Sequence, residues 1–433
     1  MLKFALLFLA LATPLLAMTN DYPDCDGTIN NQTVIEATPQ LIDSVANGKR
    51  YTIQSSINNT HLDIVVVQGS WYDIGYAYGT LMKSELNAQL PLYYEYIVNQ
   101  TEVYIELLKD YLPLYLKWIP NLMSLGKKEL LAALLGLQYQ WNLPYTPQRY
   151  LDQFKGMADA TGLDVKYIMK LNLFPELIRA QCSMAGIWGS ASADGNLLQL
   201  RALDWQFNAY MVNFPEAVIY FPTEAGSNPF ATFGFTGMIG AISGYSTQVA
   251  ISEKVWLPQS TAYKSELGEP FAYVLRDILQ FGNDLESSIG IVSEAKRTCR
   301  IHVGIGARKD NSFEGLQISY NELYIFNDKN YTNYTDAHPQ MDGVMYWDKH
   351  PQPSKNKCLG QILSQNLGHM DAEFLYTQLA PLHKTGDTQI VVYDFARETV
   401  YLSYSDPQTG AVAFARPLLK LDMGYLLNQK NFF

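Results

Sequence analysis

Gln181-Cys182-Ser183-Met184-Ala185-Gly186-Ile187-Trp188 leads through a small-residue stretch to the turn Ala193-Asp194-Gly195-Asn196. Leu197-Leu198-Gln199-Leu200-Arg201-Ala202-Leu203-Asp204-Trp205 follows. Asp-Gly between two apolar runs predicts a β-hairpin, because both residues tolerate positive φ. The hairpin starts with a cysteine and ends with an arginine and an aspartate, so it brings thiol, cation and carboxylate together as a nucleophilic site. A perfect hairpin centred on Asp194-Gly195 would pair Cys182 near Phe207, which leaves Asp204 about 10 Å away at ~3.3 Å per residue. A bulge or short loop in Gly189-Ser190-Ala191-Ser192-Ala193 has to absorb three residues.

A thiolate is a good acyl acceptor but needs a base, and no histidine lies near Cys182 in sequence. An N-terminal amine on the same residue, with an ordinary pKa of ~7.7–8.0, supplies one. That requires the Gln181–Cys182 bond to break. Cys182 would attack the carbonyl of Gln181 in an N-to-S acyl shift, and water would release the new chain. Asp204 would then hold or orient the amine, and Arg201 would set the thiolate's potential. The plainer alternative is a buried cysteine or half of a disulfide beside an Arg201–Asp204 ion pair.

The wider chain sets the compartment. Met1-Leu2-Lys3, an apolar run from Phe4 to Leu16 and Ala17 read as a secretory signal peptide over residues 1–17, too short for a membrane span. Five Asn-x-Ser/Thr sequons follow, at Asn31, Asn58, Asn99, Asn330 and Asn333, and predict a glycosylated secreted or lysosomal protein. The formal charge of −11 offers no basic stripe for nucleic acid. With 48% apolar residues the chain can bury a sizeable core. If Cys182 is the nucleophile, Cys25, Cys299 and Cys358 leave three possible bridges, unranked. The six histidines show no metal-ligand spacing, and no metal or cofactor motif is present.

Taken in order, residues 18–50 are polar and turn-rich and are expected to wrap the surface. Leu62–Gln68 reads as a strand, and Gly69–Gly79 leads into a helix whose Gly75 and Gly79 predict close packing on one face. From Leu90 to Trp141 the chain is mostly helical. Its apolar part, 103–137, is either a core helix pair or an amphipathic surface that meets lipid. Residues 147–180 predict two helices, with Asp164 as an N-cap. Strands recur at Ala217–Phe221, Ala231–Phe235, Val249–Ile251, Ile301–Ile305, Leu316–Tyr320, Leu323–Phe326, Thr388–Tyr393 and Thr399–Tyr404, with helices near Pro270–Phe281 and Lys357–Gln365. Runs of strands with segregated helices indicate an α+β fold.

Cys182-Ser183, the Asp194-Gly195 turn and Arg201-Ala202-Leu203-Asp204-Trp205 resemble the N-terminal-nucleophile cysteine hydrolases of the acid ceramidase, N-acylethanolamine acid amidase and penicillin acyltransferase group. Gly69 to Gly79, Gly156 to Asp164, Leu171-Asn172, Glu176-Leu177 and the strand pair around Thr388–Tyr404 extend the resemblance over most of the chain. It implies a four-layer αββα sandwich cut into two chains. Residues 18–181 would be the mostly helical alpha subunit or pro-region, and 182–433 the catalytic beta subunit. Cys182 matches the nucleophile, Arg201 the arginine beside it and Asp204 the aspartate that orients the amine. The implied activity is hydrolysis of N-acyl amides, fatty acyl amides above all, without a cofactor. A phospholipase B-like ester hydrolase and a non-catalytic lipid-binding protein are the rivals. The chain departs from the pattern in three places. Ala202 stands where many members have Asn, Glu253-Lys254 where an Asn often ends a strand, and Thr335-Asp336-Ala337-His338-Pro339 where a Thr-Asn-His segment supplies an oxyanion donor. An ionised aspartate cannot donate, which leaves His338, a neighbour such as Asn333 or a backbone N–H as the oxyanion donor, and a surface-loop histidine as the plain reading of His338.

Overall fold

The computed structural model describes residues 22–99, 125–176, 180–255, 267–298, 300–331 and 335–433. The signal peptide, Asn333, Cys299 and all of 103–124 therefore lie outside the described residues. Two sheets form the centre. In the first, β1 (Gln40–Val45), β2 (Gly48–Ser55) and β3 (Thr60–Gly69) run as an antiparallel meander, and β3 pairs in parallel with β6 (Pro215–Pro222). The sheet continues through β7 (Phe230–Phe235), β8 (Ser243–Ser246), β9 (Val249–Val255), β10 (Arg300–Ala307), β11 (Ser312–Ser319) and β12 (Leu323–Phe326). The second sheet, in spatial order, is β13 (Val344–Trp347), β4 (Gln181–Ile187), β5 (Leu198–Asp204), β14 (Gln389–Asp394), β15 (Thr399–Tyr404) and β16 (Leu419–Asp422).

The sheets pack face to face where β4 and β5 lie on β9 and β10. Glycines set that approach: a Cβ on Gly186 or Gly304 would sit inside the Phe313 ring, and one on Gly315 against Trp347. Helices close both outer faces. On the first sheet lie α1 (Trp71–Leu81), α2 (Lys83–Asn99), α3 (Lys127–Asn142), α4 (Gln148–Thr161), α5 (Val165–Asn172), α6 (Phe271–Phe281) and α7 (Leu285–Glu294), with α1 directly on β3 and α6 on β7 to β9. On the second sheet, α8 (Cys358–Gln365) and the helical segment 372–382 cover Ile390 and Val392 of β14. The layers are therefore α, β, β, α, the sandwich the resemblance implies.

Local signals explain these elements. Ser70 and Asp73 form a capping box at the start of α1, and Asp164 accepts from the Lys166 N–H at the start of α5. Gly75 and Gly79 do pack closely: the Gln153 carbonyl oxygen lies 2.0 Å from where a Gly75 Cβ would be, and Gly156 meets Tyr72 in the same way. Of residues 18–50, expected to wrap the surface, 40–50 instead form β1 and the start of β2. Their polar residues belong on a sheet edge, where β1 is almost wholly exposed. The part before Cys182 thus contributes three strands as well as helices. Of the possible bridges, Cys25–Cys358 is formed, over a sequence separation of 333 residues. Asn31, Asn58, Asn99 and Asn330 are all exposed. Among the described residues no helix is long and apolar enough to cross a membrane.

Candidate active site

The hairpin forms as expected, with a different register. Cys182 pairs with Leu203 and Gln181 with Asp204, so the connection absorbs four positions rather than three. A turn of 3-10 helix at Gly189–Ala191 takes up the excess, with Gly195 at φ 78°. Strand alternation then divides the site between two faces. Cys182, Met184 and Arg201 point between the sheets, while Ser183, Ala202 and Asp204 point to the outer face.

Between the sheets, Cys182 is fully buried. An Arg201 Nη2 donates to its Sγ over 3.8 Å. The same guanidinium is pinned from two further strands: Nη2 lies 3.4 Å from Glu253 Oε2 of β9, and Nη1 donates to Gln389 Oε1 of β14 at 3.0 Å. Gln389 is fixed in turn by Ser243 and by the carbonyl of Phe233. Lys254 is buried and donates to the carbonyl of Lys349. Burial pushes the Cys182 thiol up to about 12, with Glu253 adding to the rise while Arg201 and Lys254 oppose it. Burial also raises the Glu253 carboxyl against the pull of Arg201.

On the outer face, Asp204 Oδ1 accepts from the Gly386 and Asp387 N–H groups, and Oδ2 accepts from the Thr385 hydroxyl. With that proton committed, Ser183 donates to Thr385 over 2.7 Å. Burial pushes Asp204 up to about 6, with Asp387 adding to the rise while Lys349, Thr385 and Gly386 resist it. Asp204 makes no ion pair with Arg201, which the alternation of β5 places on the other face. It stands instead across from Gln181, beside the junction with Cys182.

His338 is not on the surface, and its contacts are not with the thiol. It is buried, its Nε2 lies 3.1 Å from Asp348 Oδ2, and its ring packs on Tyr346; neither contact reaches Cys182. Sequence reasoning gave no role to Glu253, Lys254, Gln389 or Thr385. A pair of opposite charges ending the otherwise uncharged strand β9 was the one available signal. Asn172 and Glu176 have structural work: Asn172 holds the loop at Gly237 and Ile239, and Glu176 accepts from Phe271 N–H and Thr298. An aromatic chain starts at Trp205, which meets Tyr96 and Phe174; Phe174 meets Tyr93. Tyr93 lines a narrow cleft with Leu90, Leu171, Pro175, Met211 and Met238.

Comparison with known proteins gives two curated relatives from Dictyostelium discoideum. Protein dcd1A is 33% identical over 435 residues, covering 96% of each chain. Protein dcd1B is 32% identical over 375 residues, covering 86% of this chain and 73% of its own length. No family model matches. Among solved structures, the Caenorhabditis elegans N-acylethanolamine-hydrolyzing acid amidase ortholog aligns with a TM-score of 0.39 at 14% identity, covering 55% of this chain and 100% of that one. Penicillin V acylase from Agrobacterium tumefaciens aligns with a TM-score of 0.38 at 9% identity, over 57% and 89%.

Proposed function

Since this chain belongs to the family of the Dictyostelium proteins dcd1A and dcd1B, whose names state no reaction, we propose a function from its own site: an autoprocessed cysteine amidohydrolase that cleaves N-acyl amides with a fatty acyl chain. The observation that carries this reading is the Gln181–Cys182 junction. Gln181 is exposed, Cys182 is buried beside Arg201, and Asp204 stands across from the bond between them.

In the first step, Cys182 Sγ attacks the carbonyl carbon of Gln181. A thioester forms, the C–N bond breaks, and the departing nitrogen takes a proton to become the amine of Cys182. Water then hydrolyses the thioester, leaving a carboxylate on Gln181 and a free thiol on Cys182. Burial holds that thiol neutral, so its proton acceptor is the new amine. Asp204 would bind the amine's charged form, and Arg201 would offset the charge of the attacking sulfur. The substrate's acyl carbon then forms a second thioester while the leaving amine takes the proton, and water completes the turnover. The aromatic chain from Trp205 through Phe174 to Tyr93 supports an apolar acyl group as the part bound.

The exposed sequons and the Cys25–Cys358 bridge support a secretory-pathway protein, lysosomal or extracellular. The same chemistry would process an acyl ester. A second reading, lipid binding without turnover, is favoured by the Glu253–Arg201 pair, which neutralises the cation beside the thiol. Purified protein incubated with matched N-acyl amides and esters, with released fatty acid read by mass spectrometry, separates these readings. Wild type should release acid faster from the amide, and Cys182→Ala should release none. A wild-type protein that binds both lipids and cleaves neither overturns the proposal.

A further inference from the structure

Beyond the end of β13, three side chains converge from two loops. Asp348 and His350 leave the end of β13, and His383 follows the helical segment 372–382. One ligand atom of each lies within 4.8 Å of the others. We infer that Asp348, His350 and His383 bind a single divalent transition-metal ion, zinc by the chemistry of the donors, with a fourth position left for water.

The donor set is two imidazoles and one carboxylate, the open-site combination that zinc accepts. His350 Nδ1 is already 3.4 Å from Asp348 Oδ2, about the edge of a tetrahedron with ~2.0–2.1 Å bonds. The third donor has to move in by about an ångström to complete it. Nε2 of His383 has no hydrogen-bond partner, on a side chain only 4% exposed. An unpartnered imidazole nitrogen that deep is costly unless something binds it. Burial keeps His383 neutral down to about 4, the form that ligates.

The surroundings orient the carboxylate. Asp348 Oδ1 accepts from Gln352 Nε2 and from the His350 N–H, and Oδ2 accepts from Ser354 and His338. These four bonds fill the carboxylate's lone-pair positions, so the ion would replace the Ser354 bond at Oδ2 while the other three hold the group in place. This gives His338 a place: it steadies Asp348. His350 is partly exposed, with 39% side-chain exposure, which leaves the ion a way in. His383 lies far in sequence from Asp348 and His350, so no spacing could reveal the set. The ion would tie the end of β13 to the loop carrying Thr385 and Gly386, the two residues that hold Asp204. The inference does not depend on the reaction proposed above.

The test is metal uptake by untagged, metal-stripped full-length protein, titrated with Zn²⁺ against a chromophoric chelator and with Co²⁺ by visible absorption. The expected result is one equivalent bound, tetrahedral Co²⁺ bands, and a higher melting temperature with Zn²⁺. His350→Ala and His383→Gln should each weaken uptake more than about tenfold. His61→Ala, an exposed histidine elsewhere, should change nothing. His350→Ala decides the matter if His383→Gln fails to fold, because His350 is partly exposed. No stoichiometric uptake by wild type, or unchanged affinity in His350→Ala, overturns the inference.

Discussion

Arg201 has two partners with opposite demands. Its Nη2 serves both the neutral Cys182 thiol and the Glu253 carboxylate, and no solvent screens either contact. Removing one member of such a buried pair leaves the other uncompensated, a cost of about 3–5 kcal/mol, whereas replacing both with apolar groups is often neutral. Arg201→Met should therefore lower the urea midpoint strongly, and Arg201→Met with Glu253→Leu should recover most of the loss. A single variant as stable as wild type would show that the pair is not formed. At this scale the sequence was partly legible. Cys182, Arg201 and Asp204 share one hairpin, so a local pattern finds them. Glu253, Gln389 and Thr385 arrive from strands and loops paired across the sheets, and local pattern carries no record of that pairing. Asp204 sits on the opposite face from Arg201 because 201 and 204 differ by an odd number in a strand.

Among elements, the contact of α1 with α4 depends on glycines meeting backbone. A methyl at Gly75 would overlap the Gln153 carbonyl, so Gly75→Ala should force the helices apart and cost about 1–3 kcal/mol. Gly290 in α7 has nothing within 4 Å of its would-be Cβ. Gly290→Ala should stabilise by roughly 0.5–1 kcal/mol through helix propensity alone. Chemical denaturation of the two variants checks the contrast, and equal effects would contradict it. The Gly75–Gly79 spacing was readable in sequence because one helical turn puts both on one face. Strands β1 and β2 were not, because an exposed edge needs no apolar alternation. The hairpin's register was off by a single position for a related reason: a 3-10 turn in a small-residue loop leaves no pattern that counts its residues.

Across the whole molecule, buried carboxyls set a pH preference. Burial raises Glu216, bonded to Tyr78, and Glu269 each to about 8. Raised acid pKa values mean that the folded chain binds more protons than the unfolded one, so this stability is full near pH 4.5 and is lost as pH climbs through 8. His302 and His383, lowered by burial to about 3 and about 4, work the other way, but only below their unfolded value near 6.5. Between pH 6.5 and 8 the histidines no longer act, and the two carboxyls lose stability while Lys254, lowered by burial, works against them. Two groups at about 1.4 kcal/mol per pH unit make a loss on the order of 2–4 kcal/mol. The melting temperature should fall over that interval; a flat or rising trend would contradict the assignment. The two parts of the chain also stay joined. β3 pairs with β6 across position 182, and Cys25 is bonded to Cys358. Processed protein should run as one band without reductant and as two with it.

The proposed reaction turns on whether the bond before Cys182 opens. Mass analysis of the N-termini in active, purified protein tests that most directly. The account predicts a larger fragment whose first residue is Cys182 and a smaller one ending at Gln181, in equal amounts. Active protein in which Gln181 and Cys182 remain joined would contradict it.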